Sequence, residues 1–378
     1  MTPVDLRMPA WAEWSPGAPA VGYTLGIEEE VMLLAPRDWS LAAEIDRVLP
    51  ALPSHLAGKV SAETHGSALE LATGVHETVG SAVGELADQR VALNEALASL
   101  DLRAAAAGLH PFALWHDTVI SSGERYQFVY GSMRELARRE PTFALHIHVG
   151  VVDPDDAVGL VNRLRGHLPM LLALSANSPF WQGRDTGLAS ARTPLFGAFP
   201  RVGIPRSFGS YADYVEAVDL LIRSDAIPEP TFLWWDVRPQ PRFGTVEVRI
   251  MDTQTRVEHT AALVALVQCI ARLEVEQGYI SSRLIGLPEV LHENRFLAAR
   301  DGINATFIDP DREERVALAD EIAELISACR PHAQDLGCES ELSGVEDLAA
   351  QNGALRQLAQ AREADRLPGL VAALVRAF

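Results

Sequence analysis

The stretch Tyr23-Thr24-Leu25-Gly26-Ile27-Glu28-Glu29-Glu30-Val31-Met32-Leu33-Leu34 decides how the rest of the chain is read. Tyr23, Leu25, Ile27, Val31 and Leu33 keep the two-residue period of a strand with one apolar face. Glu28 and Glu30 therefore share the opposite face. A second stretch repeats the pattern, with Phe143, Leu145, Ile147, Val149 and Val151 on one face and His146 and His148 on the other. In a third, Gly244 to Asp252, Val246, Val248 and Ile250 oppose Glu247 and Arg249. Val60 to Thr73 reads as a strand pair or hairpin turning at Gly66, and it adds Glu63 or Glu70 to the polar side.

The intervening segments alternate in kind. Leu41 to Leu52, Glu77 to Leu102, Asp155 to Leu174 and Tyr211 to Ser224 read as helices, with Asp155 or Asp156 starting the third. Ala104 to Leu109 and Phe232 to Arg238 read as strands. From Val257 onward the chain reads as largely helical, with breaks near Pro288, Pro310, Pro331 and Cys338. Gln182 to Phe208 is a long segment dense in Gly, Pro and Arg, the kind of loop that serves as a cover over a site. No repeat or low-complexity tract interrupts this order. Strands mixed with helices, without regular βαβ units, predict an α+β fold with a mainly antiparallel sheet covered by helices. One domain is expected over residues 1–378, with the motifs inside 22–300 and a helical portion from 301 to 378.

Composition narrows the function. At 378 residues and 48% hydrophobic, the chain can bury a sizeable core. Fifty-one acidic against 32 basic residues give a formal charge of −19, and no run of Lys and Arg offers a groove for nucleic acid or anionic lipid. The three cysteines lack a CxxC pair, which argues against a disulfide framework or a thiolate zinc site. Met1 to Ala20 lacks the apolar run of a signal peptide, and no segment reaches the roughly 20 apolar residues of a membrane span. A cytoplasmic protein is expected.

A Glu-x-Glu pair on one strand is ordinarily a solvated sheet face. Four otherwise apolar strands each bearing carboxylate or imidazole are another matter. Clustered carboxylates repel one another unless cations neutralise them. Oxygen ligands select Mg²⁺ or Mn²⁺, which a histidine still suits when phosphate oxygens complete the shell. Arg249 beside them fits a phosphate that develops charge during transfer. Metals, nucleotide and a carboxylate belong together chemically, because a carboxylate must become an acyl phosphate before an amine can displace it.

The residues resemble the bacterial carboxylate-amine ligases of the glutamate-cysteine ligase type 2 group, relatives of glutamine synthetase. The resemblance is carried by Thr24-Leu25-Gly26-Ile27-Glu28-Glu29-Glu30, Glu70-Leu71-Ala72-Thr73-Gly74-Val75-His76, His146-Ile147-His148-Val149-Gly150, Ala176-Asn177-Ser178-Pro179-Phe180-Trp181 and Thr186-Gly187-Leu188-Ala189-Ser190-Ala191-Arg192. Trp234-Trp235-Asp236-Val237-Arg238-Pro239, Phe243-Gly244-Thr245-Val246-Glu247-Val248-Arg249 and Glu293-Asn294-Arg295 complete it. It implies a glutamine-synthetase-like domain whose curved, mainly antiparallel sheet is lined by metal ligands. ATP would enter from one end and amino acids from the other.

By the same resemblance, Glu28, Glu30, Glu63, Glu70, His148 and Glu247 are the metal ligands. Arg249 contacts phosphate, with Glu70 and His146 as further catalytic candidates, His146 orienting substrate or a ligand. Arg192, Arg238 and Arg295 are candidate contacts for phosphate or substrate carboxylate. ATP with Mg²⁺ or Mn²⁺, amino-acid carboxylate and amine substrates, and a homodimer follow as expectations, with glutamate and cysteine a possible substrate pair. Phosphoryl transfer from ATP to a nitrogen acceptor, and a catalytically silent nucleotide-binding relative, are the alternatives. A metal-dependent hydrolase is disfavoured, since its HxH strand would come early in the chain.

Overall fold

The computed structural model describes residues 8–15, 22–139, 141–364 and 366–378. Residues 1–7 and 16–21, which hold much of the N-terminal stretch read above for a signal peptide, lie outside the described residues. Among the described residues no helix is long and apolar enough to cross a membrane.

The main sheet has seven strands: β1 (Leu25–Leu34), β2 (Val60–Ala62), β3 (Ala68–Ala72), β4 (Arg103–Ala105), β5 (Ala144–Gly150), β6 (Val237–Gln240) and β7 (Thr245–Asp252). Its order is β6-β7-β5-β1-β3-β2, and β4 pairs with the far end of β1 beyond β5. Every pairing in this sheet is antiparallel. β6 and β2 remain as two edges, so the sheet neither curls nor closes. This corrects the expected curved sheet: the strands whose alternation was legible are joined in an open layer. Pro239 sits in β6, where an edge strand tolerates its missing N–H. The turn into β7 passes through Gly244 at φ 65°, a left-handed conformation that glycine adopts without a Cβ penalty.

One face of the sheet is covered by α1 (Val79–Ser99), α3 (Pro154–Ser175) and α5 (Val257–Gln277), with α2 (Glu124–Met133) and α4 (Tyr211–Arg223) elsewhere. Thr78 caps α1 by accepting the Ser81 N–H, and Val79, Ala82, Leu86, Leu93 and Leu97 bury its inner stripe. α3 starts at Asp153, not at Asp155 or Asp156: its carboxylate accepts from both their N–H groups while Pro154 fills the first turn. These stripes meet Leu25, Ile27, Val31 and Leu33 of β1, Leu145, Ile147 and Val149 of β5, and Val246 and Val248 of β7.

The expected helix at Leu41–Leu52 is reduced to Ile45–Val48 and a 3-10 turn around Pro50. Phe232–Arg238 is a 3-10 turn and the two-residue strand Trp234–Trp235, with Val237 and Arg238 belonging to β6. The C-terminal portion comprises α6 (Pro288–Asp301), α7 (Leu318–Leu336), α8 (Glu339–Ala350), α9 (Gly353–Glu363) and α10 (Leu367–Ala377). It is interrupted by the hairpin of β8 (Thr306–Asp309) and β9 (Glu314–Ala317). Pro331 lies inside α7 instead of ending it. The three cysteines are free and buried.

Candidate active site

The open face of the sheet gathers its polar side chains by register. Glu30 pairs with Glu70 across β1 and β3, Glu28 with His146 across β1 and β5, and His148 with Glu247 across β5 and β7. Glu247 in turn pairs with Arg238 across β6 and β7. Cross-strand partners on one face stand about 5 Å apart, so four antiparallel pairings convert separate i, i+2 spacings into one continuous patch.

Strand β7 departs from simple alternation. Val248 pairs with Ile147 but Met251 pairs with Leu145, so three steps on β7 match two on β5. The extra residue is a bulge at Arg249 and Ile250, and such bulges re-aim side chains beside functional sites. Arg249 Nη1 reaches Glu247 in a short ion pair and lies 3.4 Å from His146 Nδ1.

Three overlapping sets of ligand atoms come together, each within 4.8 Å internally: Glu28, His148 and Glu247; Glu28, Glu70 and His146; Glu30, Glu63 and Glu70. Glu63 stands in the turn after β2, where its carboxylate accepts the Thr64 N–H at 2.8 Å. His148 Nδ1 is fixed by Thr245 Oγ1 at 2.9 Å. That leaves His148 Nε2 buried without a hydrogen-bond partner, 3.3 Å from Glu28 Oε1 and 4.0 Å from Glu247 Oε1. A ring held through one nitrogen, with the other aimed between two carboxylates, is the arrangement of a metal-ligating histidine. The oxygen-rich donors and this nitrogen fit a hard divalent cation.

The electrostatics divide the patch. Burial pushes the Glu30 carboxyl up to about 8, and Glu63 adds to the shift. Burial likewise raises Glu63, and raises Glu70 well above the ordinary range, with Glu28, Glu63 and Glu30 adding their charge to the effect on Glu70. Burial works in the same direction on Glu28. There it is outweighed by the His148 charge and by the hydrogen bond with His146, which hold the group well below the usual carboxylate range. Glu247 is held low because Arg238 and Arg249 overcome its desolvation. Burial and Arg249 bring the His146 ring down to about 4, leaving it neutral at pH 7. A neutral Nδ1 can donate to Glu28 Oε2 at 3.2 Å or accept from Arg249, one at a time.

Glu28, Glu30, Glu63, Glu70, His146, Arg238, Glu247 and Arg249 all line a cleft of about 380 Å³. A second cleft of about 370 Å³ adjoins Glu28 and His148 from the other side, walled by Gly26, Ile27, Val75 and Phe243. The three arginines expected on anions are each engaged within the protein. Arg238 is forked onto Glu247 at 2.7 and 3.3 Å and donates to the Thr231 and Leu233 carbonyls. Arg192 donates to the Ile250 carbonyl beside Asp252, and Arg295 is forked onto Asp236 at 2.6 and 3.3 Å. Arg192 and Arg295 line a small separate pocket with Arg249.

Sequence reading missed Arg125 and Tyr126 of α2 and Arg242 of the β6–β7 turn, and gave the motif residue Phe243 no role; all four line the main cleft. Arg125 pairs with Glu229, whereas among the described residues Arg242 meets only the Phe243 ring, 5.5 Å from its centroid. The signal for Arg242 was its place directly before a motif strand. For α2 there was none, because its apolar residues mark no clear stripe.

Residues 24–368 match the family described as glutamate-cysteine ligase family 2 (GCS2). A chain of Rubrobacter xylanophilus, provisionally named glutamate–cysteine ligase 2-1, is 41% identical over 337 residues, 89% of each chain. One of Sorangium cellulosum, provisionally named glutamate–cysteine ligase 2, is 39% identical over 89% of this chain and 91% of its own. Among solved structures, the glutamate–cysteine ligase of Francisella tularensis in complex with AMP superposes with TM-score 0.71 at 14% identity, covering 94% of this chain and 88% of that one.

Proposed function

The chain belongs to the glutamate-cysteine ligase family 2, within the glutamine-synthetase-like superfamily, and we propose that its open sheet face joins a carboxylate to an amine at the expense of ATP. The observation that carries this reading is the continuous row of carboxylates and imidazoles beside Arg249, which stands at the β7 bulge. Two clefts meet on that row, at Glu28.

In this reading Glu28, His148 and Glu247 would hold a divalent cation that offsets the charge of the nucleotide phosphates, and the cleft walled by Gly26, Ile27 and Val75 would take the base. Glu30, Glu63 and Glu70 hold another on the substrate side. Bound cations of this kind neutralise phosphate charge and align the attacking oxygen. The substrate carboxylate oxygen attacks the γ-phosphorus and ADP leaves, giving an acyl phosphate. The amine nitrogen then attacks the acyl carbon, inorganic phosphate leaves, and the amine releases a proton. Arg249 lies where it can follow the charge on the transferring phosphoryl group. Glutamate and cysteine are the first substrate pair to try, with Mg²⁺ and Mn²⁺ as the cations.

The test is ADP release from the purified protein with ATP and Mg²⁺ over a panel of amino-acid carboxylates, with and without amines, beside Glu28→Gln and Arg249→Ala. The reading requires ADP that depends on both carboxylate and amine and disappears in both variants. ADP formed with amine alone would make the protein a phosphotransferase instead, and nucleotide binding without turnover would make it a silent relative.

A further inference from the structure

Four of the stretches that carry the resemblance hold polar residues that do not line the main cleft: Asn177 and Ser178, Ser190 and Arg192, Asp236, and Arg295. Each of them bonds to the end of β7 or to a carboxylate or backbone group that does. The bulge that carries Arg249 stands there, its register shift setting Arg249 and Ile250 against the single residue His146. A bulge disrupts the ladder locally, so contacts from outside the two strands decide how its residues are held.

Arg192 supplies one such contact. It opens the short helix Arg192–Phe196 and is buried. Its guanidinium donates through Nη1 to the Ile250 carbonyl at 3.0 Å and through Nη2 to the Arg249 carbonyl at 3.4 Å, so one planar fork spans both carbonyls of the bulge. Nη1 also stands 3.6 Å from Asp252 Oδ1, at the end of β7. Asp252 is fixed in turn, accepting from the Asn177 N–H at 2.8 Å, Ser178 Oγ at 2.6 Å and Ser190 Oγ at 3.0 Å. An added Cβ at Gly108 would lie 2.5 Å from its Cγ, which leaves the carboxylate no room to shift on that side.

Asp236 supplies the other contact. Its carbonyl accepts the Arg249 N–H at 2.8 Å, its own N–H donates to the Gly203 carbonyl at 2.9 Å, and its carboxylate is the one gripped by the Arg295 fork from α6. Arg192, Asp236, Arg249, Ile250 and Arg295 close round a pocket of only about 10 Å³. That is space for about one water, and a phosphate or carboxylate does not fit in it.

We propose that Arg192 and Arg295 are positioning residues: between them they fix the backbone of the bulge and so aim the Arg249 guanidinium at the transferring phosphoryl group. The inference rests on the role given above to Arg249. Among the described residues the tip of that side chain meets Glu247 and His146, both members of the site itself. Its direction before substrate arrives therefore depends on how its backbone is held.

Arg192→Lys and Arg295→Lys are the test, because each keeps a positive charge beside its carboxylate and loses the planar fork. In hydrogen exchange on the full chain, the β7 amides of Thr245–Asp252 should lose protection by about tenfold in both variants while those of α1 keep theirs. In ADP release, kcat per folded molecule should fall by about 10²-fold for Arg192→Lys and by about tenfold for Arg295→Lys, with KM for ATP and for the carboxylate within about twofold of the parent. Unchanged exchange in β7 would overturn the proposal whatever the kinetics. Faster exchange with turnover intact would overturn it too, and so would a raised KM at constant kcat, which would make the arginine a substrate contact. A parent that forms no ADP with any carboxylate and amine would fail the ligase reading and take the aiming of Arg249 with it, and exchange alone would then uphold or overturn the clamp.

Discussion

The two faces of β1 put the same residue type to opposite uses. Glu29 points into the helical layer, where Arg90 of α1 meets it in a fork at 2.8 and 2.5 Å and spends further donors on the Gln254 and Thr255 carbonyls. Both side chains are almost fully buried and the pair is neutral. One residue to either side, Glu28 and Glu30 point to the open face, where with Glu63, Glu70, Glu229 and Glu247 they make six carboxylates against four guanidiniums, Arg125, Arg238, Arg242 and Arg249. A carboxylate with a dedicated arginine is architecture. A group of carboxylates that share too few cations is a site prepared for added positive charge.

The largest expected effect tests the open face. Arg249→Ala should lower ADP formation by about 10³-fold, as loss of an arginine on a transferring phosphoryl group does, with Tm nearly unchanged. Next comes the buried face. Arg90→Ala strands Glu29 without its partner and should destabilise the protein by about 3–5 kcal/mol in denaturant melts. Activity per folded molecule should be kept. If Arg90→Ala abolished turnover in fully folded protein, or Arg249→Ala unfolded it, the division between the two faces would fail.

How much of this division could be read beforehand follows from the period of a strand. Alternation alone placed Glu28, Glu30, His146, His148 and Glu247 on one side, because register in an antiparallel sheet turns a two-residue repeat into a shared face. Glu29 also gave a signal that went unused: a charge on an apolar face needs a partner, and Arg90 lies on the buried side of α1 with Leu86, Leu93 and Leu97. The bulge at Arg249 and the open shape of the sheet left no local mark, since both depend on pairings between strands distant in sequence. The β8–β9 hairpin was hidden in a segment read as helical up to Pro310, though its four-residue strands alternate. For the arginines expected on anions, only partner geometry could show that Arg238, Arg192 and Arg295 are already held by the protein.

A smaller effect should appear in the pH dependence of stability. Glu30 has an ordinary value of 4.5 and is pushed up to about 8 in the fold, so across that interval the folded chain holds a proton that the unfolded chain has lost. Stability should then be fullest near pH 4.5 as far as this group is concerned and fall as pH rises toward 8. The limiting slope is about 1.4 kcal/mol per pH unit for one proton. Adding Mg²⁺ or Mn²⁺ should flatten the fall and release protons into weakly buffered solution. A metal-free protein whose melting point rises steadily from pH 5 to pH 8 would contradict the raised carboxyls on the open face.

The smallest effect discriminates most sharply, because it asks for almost nothing to happen. Glu70 is raised well above the ordinary carboxylate range by burial and by Glu28, Glu63 and Glu30, so the metal-free fold favours its neutral form, which matches glutamine in shape and charge. Glu70→Gln should therefore change stability by less than about 0.5 kcal/mol without metal, a size typical of unremarkable surface substitutions and unusual for a buried charged position. With saturating Mg²⁺ the same variant should lose much of the metal-induced rise in Tm, since an amide offers no anionic oxygen to the set it shares with Glu30 and Glu63. Glu29→Gln supplies the opposite case: destabilised with and without metal, because the Arg90 charge it would strand is present in both. If Glu70→Gln behaved like Glu29→Gln, the open face would be paired architecture too, and the distinction between the two sides of β1 would be lost.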